Sequence, residues 1–387
     1  MIVELHGAHF KNKGAQLMLR TVVSELSERI DDIDFVVGTK CGNQVQRAAL
    51  DLKQIIPVRP WMDSSYYRLL LIIQRWMSKD VWRNVVDHDK FFILQETDAL
   101  IDLSGFAFTD QWGITPIKNF ASLSEVYQSR NKPVVMLPQA VGPFRKPNSQ
   151  HAFRRVIDNV DLLYLRDDRS VQFAKQVNDQ SNHIRYAPDM TFFYPPRDDR
   201  SLAQLQYCCI IPSKRMFDQG KTDWGQKYHR MIMLSVEESL KKGFQVYFVV
   251  HDTSDQSVVE SFVDKFKEQR GVKVYQEEDP VVLKKFIGKS AYIVGSRYHG
   301  ILAAFSYGVP ALCMGWAHKY IYLFKEFGLE EYMLTPQTSP AELVEKISQI
   351  AAPKKNREIK TAILQKVAKL KLINQQMWDE VVEVITQ

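Results

Sequence analysis

The feature that most constrains the fold is the alternation of short apolar runs with helix-length stretches along most of the chain. In the first half, apolar runs lie at residues 2–5, 34–37, 99–103, 133–137 and 162–165. Strands that alternate with helices form βαβ units, and such units build a parallel sheet. The first half of the chain therefore predicts a Rossmann-like domain.

A second series of the same kind follows. Its apolar runs lie at residues 207–211, 245–250, 272–275, 291–294 and 309–314. Residues 194–200, rich in proline and charge, are typical of a linker, and 387 residues exceed what one core usually serves. We predict an α/β fold with two Rossmann-like domains facing a cleft, at residues 1–195 and 205–350, and a helical tail at 354–387 that packs back on them. Ligands should bind at the carboxyl ends of the strands.

Composition and charge are those of an ordinary globular protein. Hydrophobic residues make up 45% of the chain and charged residues 25%. The net charge of +6 is too diffuse to indicate nucleic-acid binding, and no zinc-finger or RRM signature accompanies it. We expect no nucleic-acid partner, whereas an anionic small substrate or an anionic membrane surface suits this charge.

Cysteine usage and the N-terminus predict a cytoplasmic protein. The four cysteines show no CxxC spacing, so we expect neither a disulfide framework nor a metal site. The N-terminus reads as a first β-strand and not as a signal peptide. No apolar run reaches the roughly 20 residues that a membrane span needs.

Residues 61–77 combine aromatic and aliphatic side chains with arginine. One interpretation is an interfacial helix near a lipid-linked acceptor, which would give peripheral contact at the inner face of a membrane. The favoured interpretation is a buried helix or one that packs on a partner subunit, so homo-oligomerisation and membrane contact both stay open.

The segment GSRYHG at residues 295–300 is the strongest candidate for chemistry. An apolar strand ends at Gly295 and a helix follows, with Ser296 as its predicted N-cap. Arg297 and His299 would then lie at the edge of a parallel sheet beside a helix N-terminus, where free N–H groups favour anions. Arginine binds carboxylate or phosphate, and histidine transfers protons near neutral pH. A capping arginine with a packed histidine is the alternative, but the coincidence of these features favours function.

Other loops that leave predicted strands also carry polar residues. The first turn, at residues 7–15, is rich in Gly and Lys and could receive an anion or a sugar. Gln139 and Arg166 follow two further strands, and Asp189 supplies a carboxylate near the end of the first domain. Each of these loops also has a turn-forming or capping interpretation.

Taken in order, these motifs resemble the polysaccharide pyruvyl transferase family. The matching segments are NKGA at 12–15, SG at 104–105, PQAVGP at 138–143, RD at 166–167, PD at 188–189, SRYHG at 296–300 and GVP at 308–310. The resemblance implies a fold like that of GT-B glycosyltransferases, with phosphoenolpyruvate as donor and a sugar diol as acceptor. The product would be a pyruvyl ketal on a surface polysaccharide or its lipid-linked precursor.

Residues and resemblance together give a set of candidate roles. The catalytic candidates are His299 and Arg297. The donor-binding candidates are Arg297, His299, Arg166, Ser296, Gly300 and Lys319, the last where the family often carries a basic residue. The acceptor-binding candidates are Asn12, Gly14, Gln139 and Asp189. We expect no cofactor and no metal, because phosphoenolpyruvate is itself a substrate, and a saccharide or lipid-linked saccharide is the expected partner.

In the predicted mechanism His299 delivers a proton to the methylene carbon of the donor, and Arg297 holds its phosphate or carboxylate. Asp189 or another carboxylate of the first domain would accept the proton of the sugar hydroxyl. Two alternatives remain: a GT-B glycosyltransferase with a nucleotide-sugar donor, and a non-catalytic glycan-binding partner. A dehydrogenase is disfavoured because no dinucleotide fingerprint follows any strand.

Overall fold

The computed structural model describes residues 1–10, 12–56, 91–195, 206–217, 224–315 and 317–387. The chain divides into two compact units. The first unit comprises Met1–Phe10, Met18–Ala187 and Gln375–Gln387, and the second comprises Lys11–Leu17 and Pro188–Asn374. The domain limits and the cleft predicted from the sequence stay predictions.

The first unit is built on a parallel sheet. Its described strands are β1 (Ile2–His6), β2 (Asp34–Gly38), β3 (Leu52–Ile56), β4 (Phe91–Ile93), β5 (Ala99–Asp102), β6 (Val134–Gln139), β7 (Leu162–Leu165) and β8 (Ile184–Tyr186). Their order is β4-β3-β2-β1-β5-β6-β7-β8, and all neighbouring pairs are parallel. Every residue of β5, β6 and β7 is buried, as expected of a parallel sheet covered on both faces.

The described helices that accompany this sheet are α1 (Lys13–Ser27), α2 (Gln44–Ala48), α3 (Thr115–Gln128), α4 (Pro147–Ile157) and α5 (Asp168–Val177). The first residues of α1 are grouped with the second unit. The core of the first unit joins apolar side chains of β5, β6 and β7 to those of α3 and α4.

The second unit contains a smaller parallel sheet. Its described strands are β9 (Tyr207–Ile211), β10 (Gln245–Val250), β11 (Val272–Gln276), β12 (Ile293–Gly295), β13 (Ala311–Met314) and β14 (Met333–Leu334). Its helices are α6 (Gly225–Lys241), α7 (Gln256–Val263), α8 (Pro280–Gly288), α9 (Tyr298–Ser306), α10 (His318–Phe327), α11 (Pro340–Ala351) and α12 (Pro353–Thr386). The strand order is β11-β10-β9-β12-β13-β14, again with parallel neighbours. These two sheets confirm the predicted α/β class.

Several helices begin where the sequence supplies a cap. Asp167 caps α5, Asp279 caps α8 and Ser339 caps α11, in each case through a side-chain oxygen that accepts a backbone N–H of the first turn. Such a cap satisfies a helix N–H group that otherwise lacks a partner. For residues 166–167, the structure thus gives Asp167 the capping role.

Each sheet has one point at which the direction of strand addition reverses. In the first unit, β2, β3 and β4 lie on one side of β1, and the strands from β5 onward lie on the other. In the second unit, the same reversal separates β9 from β12. Open α/β sheets bind ligands at the carboxyl ends of strands at such switch points. Each unit therefore has one edge where a ligand is expected.

The C-terminal helix α12 corresponds to the predicted tail. Its residues up to Asn374 belong to the second unit, where the Asn356 side chain donates to the Ala291 carbonyl at 2.9 Å. Its last part belongs to the first unit, where Tyr164 and Arg185 both donate to the Glu380 carboxylate.

None of the described helices is long and apolar enough to cross a membrane. The segment 61–77, for which an interfacial or buried helix was predicted, lies outside the described residues.

Candidate functional site

The candidate site of the second unit lies at the switch point between β9 and β12. Strand β12 ends at Gly295, and α9 begins three residues later. The structure confirms the predicted strand, turn and helix but places Arg297, not Ser296, at the N-cap. The predicted Ser296 cap is wrong because its hydroxyl lies in the core and accepts a hydrogen bond from Tyr228 at 2.9 Å. Ser296 is fully buried, and its predicted contact with a donor stays a prediction.

Arg297 is held by carboxylates of the same unit. Its Nε donates to Asp255 Oδ2 at 2.6 Å, and its Nη2 donates to Asp255 Oδ1. Its Nη1 lies 3.5 Å from Asp252 Oδ2. The Asp255 side chain is fully buried and also accepts the Lys214 backbone N–H at 2.9 Å. Arg297 therefore has one edge of its guanidinium fixed by a bidentate ion pair.

For each of the carboxylates of Asp252 and Asp255, burial raises the pKa and the Arg297 charge lowers it. Burial raises the pKa of Asp255, although its hydrogen bonds to Arg297 oppose this. At Asp252 burial also favours a higher pKa, but the Arg297 charge and hydrogen bonds from Ser254 outweigh it, so the pKa is lowered.

His251, directly after β10, is a buried neutral imidazole. Burial, followed by the positive charges of Arg297 and His299, lowers its pKa to about 3. A Cβ placed on Gly300 would lie 3.5 Å from the His251 ring and 3.0 Å from Ile211 Cδ1. Gly300 thus lets the first turn of α9 approach the ends of β9 and β10 closely.

His299 lies in the first turn of α9 and faces a buried carboxylate. Its Nε2 is 3.8 Å from Asp189 Oδ2, and 19% of its side chain is exposed. The other oxygen of Asp189 accepts hydrogen bonds from the backbone N–H and the hydroxyl of Thr191, at 3.1 and 2.7 Å. The turn after Asp189 therefore orients the carboxylate while its second oxygen faces the imidazole.

Lys284, on α8, anchors this turn. Its ammonium donates to the carbonyl groups of Thr191, Phe192 at 3.2 Å and Tyr194 at 2.8 Å. Its side chain is buried, and burial lowers the pKa of the ammonium to about 7, although the negative charge of Asp189 opposes this. Lys284 therefore holds in place the turn that carries Asp189.

Lys284 gives a prediction for the pH dependence of stability. Above about pH 7 the folded lysine has released a proton that the unfolded lysine still holds, up to its ordinary pKa of 10.5. In this pH range, Lys284 should therefore make the free energy of unfolding rise with pH, by at most about 1.4 kcal/mol per pH unit. We expect Lys284→Met to abolish this contribution in urea denaturation measured from about pH 7 to pH 9.

Lys285, the exposed neighbour on α8, provides the matched control. Lys285→Met should keep the pH dependence of the wild type. The same pH dependence in Lys284→Met and wild type would contradict the assignment.

The first loop of the chain belongs to this site. Asn12 accepts the Ala15 N–H at 2.9 Å, which caps α1, and its backbone pairs with Asp252. Lys13 donates to the Glu278 carbonyl at 2.6 Å and to its carboxylate at 3.1 Å. The loop is thus attached to the second unit through both its backbone and a side chain.

Gly14 contacts the candidate proton-transfer residue. A Cβ at Gly14 would lie 2.0 Å from His299 Nδ1, a distance that no side chain can occupy. The structure therefore groups Asn12 and Gly14, predicted as acceptor residues, with His299. Their binding role stays a prediction.

Lys319, on α10, lies near the start of α9. Its ammonium is 5.1 Å from the centroid of the Tyr298 ring and 5.7 Å from that of Tyr320. Both distances are typical of cation–π contacts. Its predicted role as a donor-binding cation stays a prediction.

Gln139 and Arg166 lie in the first unit, where Gln139 is the last residue of β6 and Arg166 directly follows β7. Gln139 is fully buried, and its Nε2 donates to Asp102 at 2.8 Å. Arg166 is also buried, and its backbone N–H donates to the Gln139 carbonyl at 3.2 Å. Their predicted contacts, Gln139 with an acceptor and Arg166 with a donor, stay predictions.

Four residues of this site were not predicted from the sequence. His251, Asp252 and Asp255 follow the carboxyl end of β10, so the strand-end rule that selected residues 295–300 would have found them. Lys284 is spaced one and three residues from the buried Leu283 and Ile287, and a lysine on an apolar helix face is a signal of its own. Within the described ranges, no group of three or more His, Cys, Asp or Glu side chains could hold a metal ion.

Comparison with known proteins identifies a protein family that this sequence matches. The sequence model of the family described as polysaccharide pyruvyl transferase matches residues 12–318. The amylovoran biosynthesis protein AmsJ of Erwinia amylovora is 22% identical over 258 residues, 62% of this chain. The matched part spans 61% of the length of that relative.

Solved structures share the fold at low sequence identity. UDP-GlcNAc 2-epimerase from Neisseria meningitidis has a TM-score of 0.57 at 13% identity, over 97% of this chain and 100% of its own. UGT2 of Phytolacca americana has a TM-score of 0.56 at 11% identity, over 100% of both chains. HepE of Anabaena has a TM-score of 0.55 at 11% identity, over 98% and 99% of the two chains. Epimerases and glycosyltransferases of the GT-B type thus share the fold, which confirms the predicted GT-B-like class.

Proposed function

The chain belongs to the polysaccharide pyruvyl transferase family, and on that premise we propose that it transfers a pyruvyl group from phosphoenolpyruvate to a sugar diol. The acceptor is a surface polysaccharide or its precursor, and the product is a cyclic ketal. The observation that carries the proposal is His299, which faces the Asp189 carboxylate at the N-terminus of α9.

The reaction sets clear demands on the site. Two C–O bonds form at the central carbon of phosphoenolpyruvate, and the C–O bond to phosphate breaks. The two diol hydroxyls lose one proton each. The methylene carbon gains one proton equivalent and becomes a methyl group, and the other leaves with the phosphate. The protein must therefore supply a proton donor and stabilise a cationic centre next to an anion.

His299 meets the first demand. The Asp189 carboxylate, 3.8 Å from its Nε2, lies close enough to balance the charge of an imidazolium that protonates the methylene carbon. Its side chain is 19% exposed, whereas the nearby His251 is buried with a pKa lowered to about 3 and therefore holds no proton to donate from an imidazolium near neutral pH. We assign His299 as the proton donor.

Arg297 and the helix N-terminus meet the second demand. Asp255 fixes the Nε–Nη2 edge of the guanidinium, so Nη1 can donate to the phosphate or carboxylate of the donor in a set orientation. The N-terminal N–H groups of α9 add further donors, and Lys319 next to Tyr298 adds a positive charge. Because the carboxylates of Asp252 and Asp255 offset the charge of Arg297, binding of the anionic donor depends on Arg297, the α9 N–H groups and Lys319 together.

Gly14 gives a prediction specific to His299. Gly14→Ala forces the imidazole to move, and a misplacement of about 1 Å can cost about 10²-fold in rate. We expect kcat for pyruvyl transfer to fall by about that factor. The matched control is Gly38→Ala, because a Cβ there meets no atom within 4 Å, and it should keep the wild-type kcat. Equal kcat values for the two variants would contradict the placement of His299.

The proposed function is tested by binding and by transfer. We expect phosphoenolpyruvate to raise the unfolding temperature of the protein, and UDP- and GDP-sugars to leave it unchanged. With phosphoenolpyruvate labelled in its pyruvyl carbons and polysaccharide from cells that lack this protein, label should enter the glycan as an acid-labile ketal with release of phosphate. Stabilisation by a nucleotide sugar alone would favour a glycosyltransferase. Glycan binding without transfer of label would favour a non-catalytic partner.

A further inference from the structure

The switch point of the first unit carries its own polar cluster. Strands β1 and β5 are neighbours there, and their register pairs His6 with Asp102, the last residue of each strand. The His6 Nδ1 lies 2.6 Å from Asp102 Oδ1. Both residues thus occupy the place where an open parallel sheet is expected to bind its ligand.

Asp102 is fully buried and is held by several donors. Beside His6, its carboxylate accepts the Ser104 hydroxyl at 2.6 Å, the Ser104 backbone N–H at 3.3 Å and the Gln139 Nε2 at 2.8 Å. These donors satisfy the oxygen atoms of the buried carboxylate and fix its orientation. It cannot reach a ligand itself, so its effect on a ligand must pass through His6.

The Asp102 carboxylate selects the tautomer of His6. Because a carboxylate only accepts, Nδ1 carries the proton of the His6–Asp102 hydrogen bond, and Nε2 lies on the opposite edge of the ring. The His6 side chain is 27% exposed, in contrast to Asp102. The Phe120 ring, with its centroid 5.1 Å from that of His6, restricts the orientation of the imidazole further.

The backbone around His6 is shaped to bring the strands this close. Gly7 has a φ of +75°, and a Cβ there would lie 2.2 Å from the Ser104 hydroxyl. Only glycine fits this position, since both the dihedral angle and the space exclude a side chain. The close approach allows Ser104 and His6 to share one carboxylate.

We propose that His6, oriented by Asp102, is a ligand-binding residue of the first unit and accepts a hydrogen bond from a hydroxyl group of a saccharide. The negative charge of Asp102 disfavours an anionic ligand at this imidazole, whereas the hydroxyl group of a saccharide carries no charge. The identification of this saccharide as the acceptor substrate rests on the proposed function. The binding of a saccharide hydroxyl at His6 does not depend on the proposed function.

The test uses the full chain labelled with ¹⁵N at histidine. Long-range ¹H–¹⁵N spectra report which ring nitrogen carries the proton, and the His6→Gln variant identifies the His6 signals. We expect a proton on Nδ1, and a shift of the Nε2 signal when methyl glycosides of glucose, galactose and mannose are added. Inorganic phosphate, the control ligand, should leave this signal unchanged. A proton on Nε2, a shift with phosphate, or no shift with any glycoside would overturn the proposal.

A second measurement separates this proposal from the proposed function. His6→Gln should weaken glycoside binding by about tenfold, the equivalent of one hydrogen bond of about 1.4 kcal/mol. The same variant should keep the thermal stabilisation by phosphoenolpyruvate. Unchanged glycoside affinity in His6→Gln would overturn the role of His6, whereas failure of phosphoenolpyruvate to bind the wild type would overturn only the proposed function.

Discussion

Replacing His299 with alanine is expected to lower kcat for pyruvyl transfer by a factor of about 10²–10⁴. This is the usual contribution of a positioned acid or base, and the transfer cannot proceed without a proton for the methylene carbon. The Asp189 carboxylate lies 3.8 Å from the His299 Nε2 and orients this imidazole in the site. The rate constant is measured with saturating phosphoenolpyruvate and glycan.

The control for this variant is His151→Ala. His151 is exposed on α4, so its loss should leave kcat and the unfolding temperature as in the wild type. The dependence of kcat on the Asp189 charge gives a further check. Asp189→Asn tests it, since this variant removes the charge but preserves the shape of the side chain. A wild-type rate for His299→Ala would refute the role of His299 as proton donor.

The central strands of both sheets could be predicted because they are apolar on both faces. The runs predicted at 99–103, 133–137 and 162–165 overlap β5, β6 and β7, in which every residue is buried. Of the described edge strands, β11 was predicted by the run at 272–275, whereas β4, β8 and β14 were missed. Strand β8 has only three residues and β14 only two, and a short strand with one neighbour needs too few apolar residues to form a pattern.

The chemistry at residues 295–300 was predictable only as far as local signals reach. The end of a strand and the start of a helix are encoded nearby in the sequence. The cap was misplaced because the Tyr228 hydroxyl, 68 residues away in the chain, binds Ser296. The partner of Arg297, Asp255, is 42 residues away. Contacts of this kind depend on which strands become neighbours.

The first loop illustrates the same limit. Its glycine and lysine content indicated a binding element, and its position near the N-terminus suggested the first domain. The structure instead groups Lys11–Leu17 with the second unit, where Lys13 binds Glu278 and Gly14 contacts His299. The pattern of α1 itself gives no sign of this, since the rest of the helix, from Met18, belongs to the first unit.

Replacing Asp255 with alanine is expected to lower the free energy of unfolding by about 3–5 kcal/mol. The substitution leaves the Arg297 guanidinium, whose side chain is only 18% exposed, without its bidentate partner, and the Lys214 N–H without its acceptor. Asp252 stays 3.5 Å from Nη1 but makes no bidentate contact, so the Nε–Nη2 edge loses its buried partner and the loss should be large. Urea denaturation near neutral pH measures it, with wild type and variant compared at equal m-values.

Two further variants separate the buried charge from general disruption. Asp252→Ala removes a carboxylate 3.5 Å from Nη1 and should cost only about 1 kcal/mol, because Asp255 still neutralises the guanidinium. The double variant Arg297→Met with Asp255→Leu removes both charges and should recover most of the loss, since apolar replacements of a buried pair are often neutral. If Asp255→Ala were as stable as the wild type, the guanidinium would not depend on this carboxylate. Arg297 would then be free to turn its whole fork towards the donor, and Asp255 would lose its place in the site.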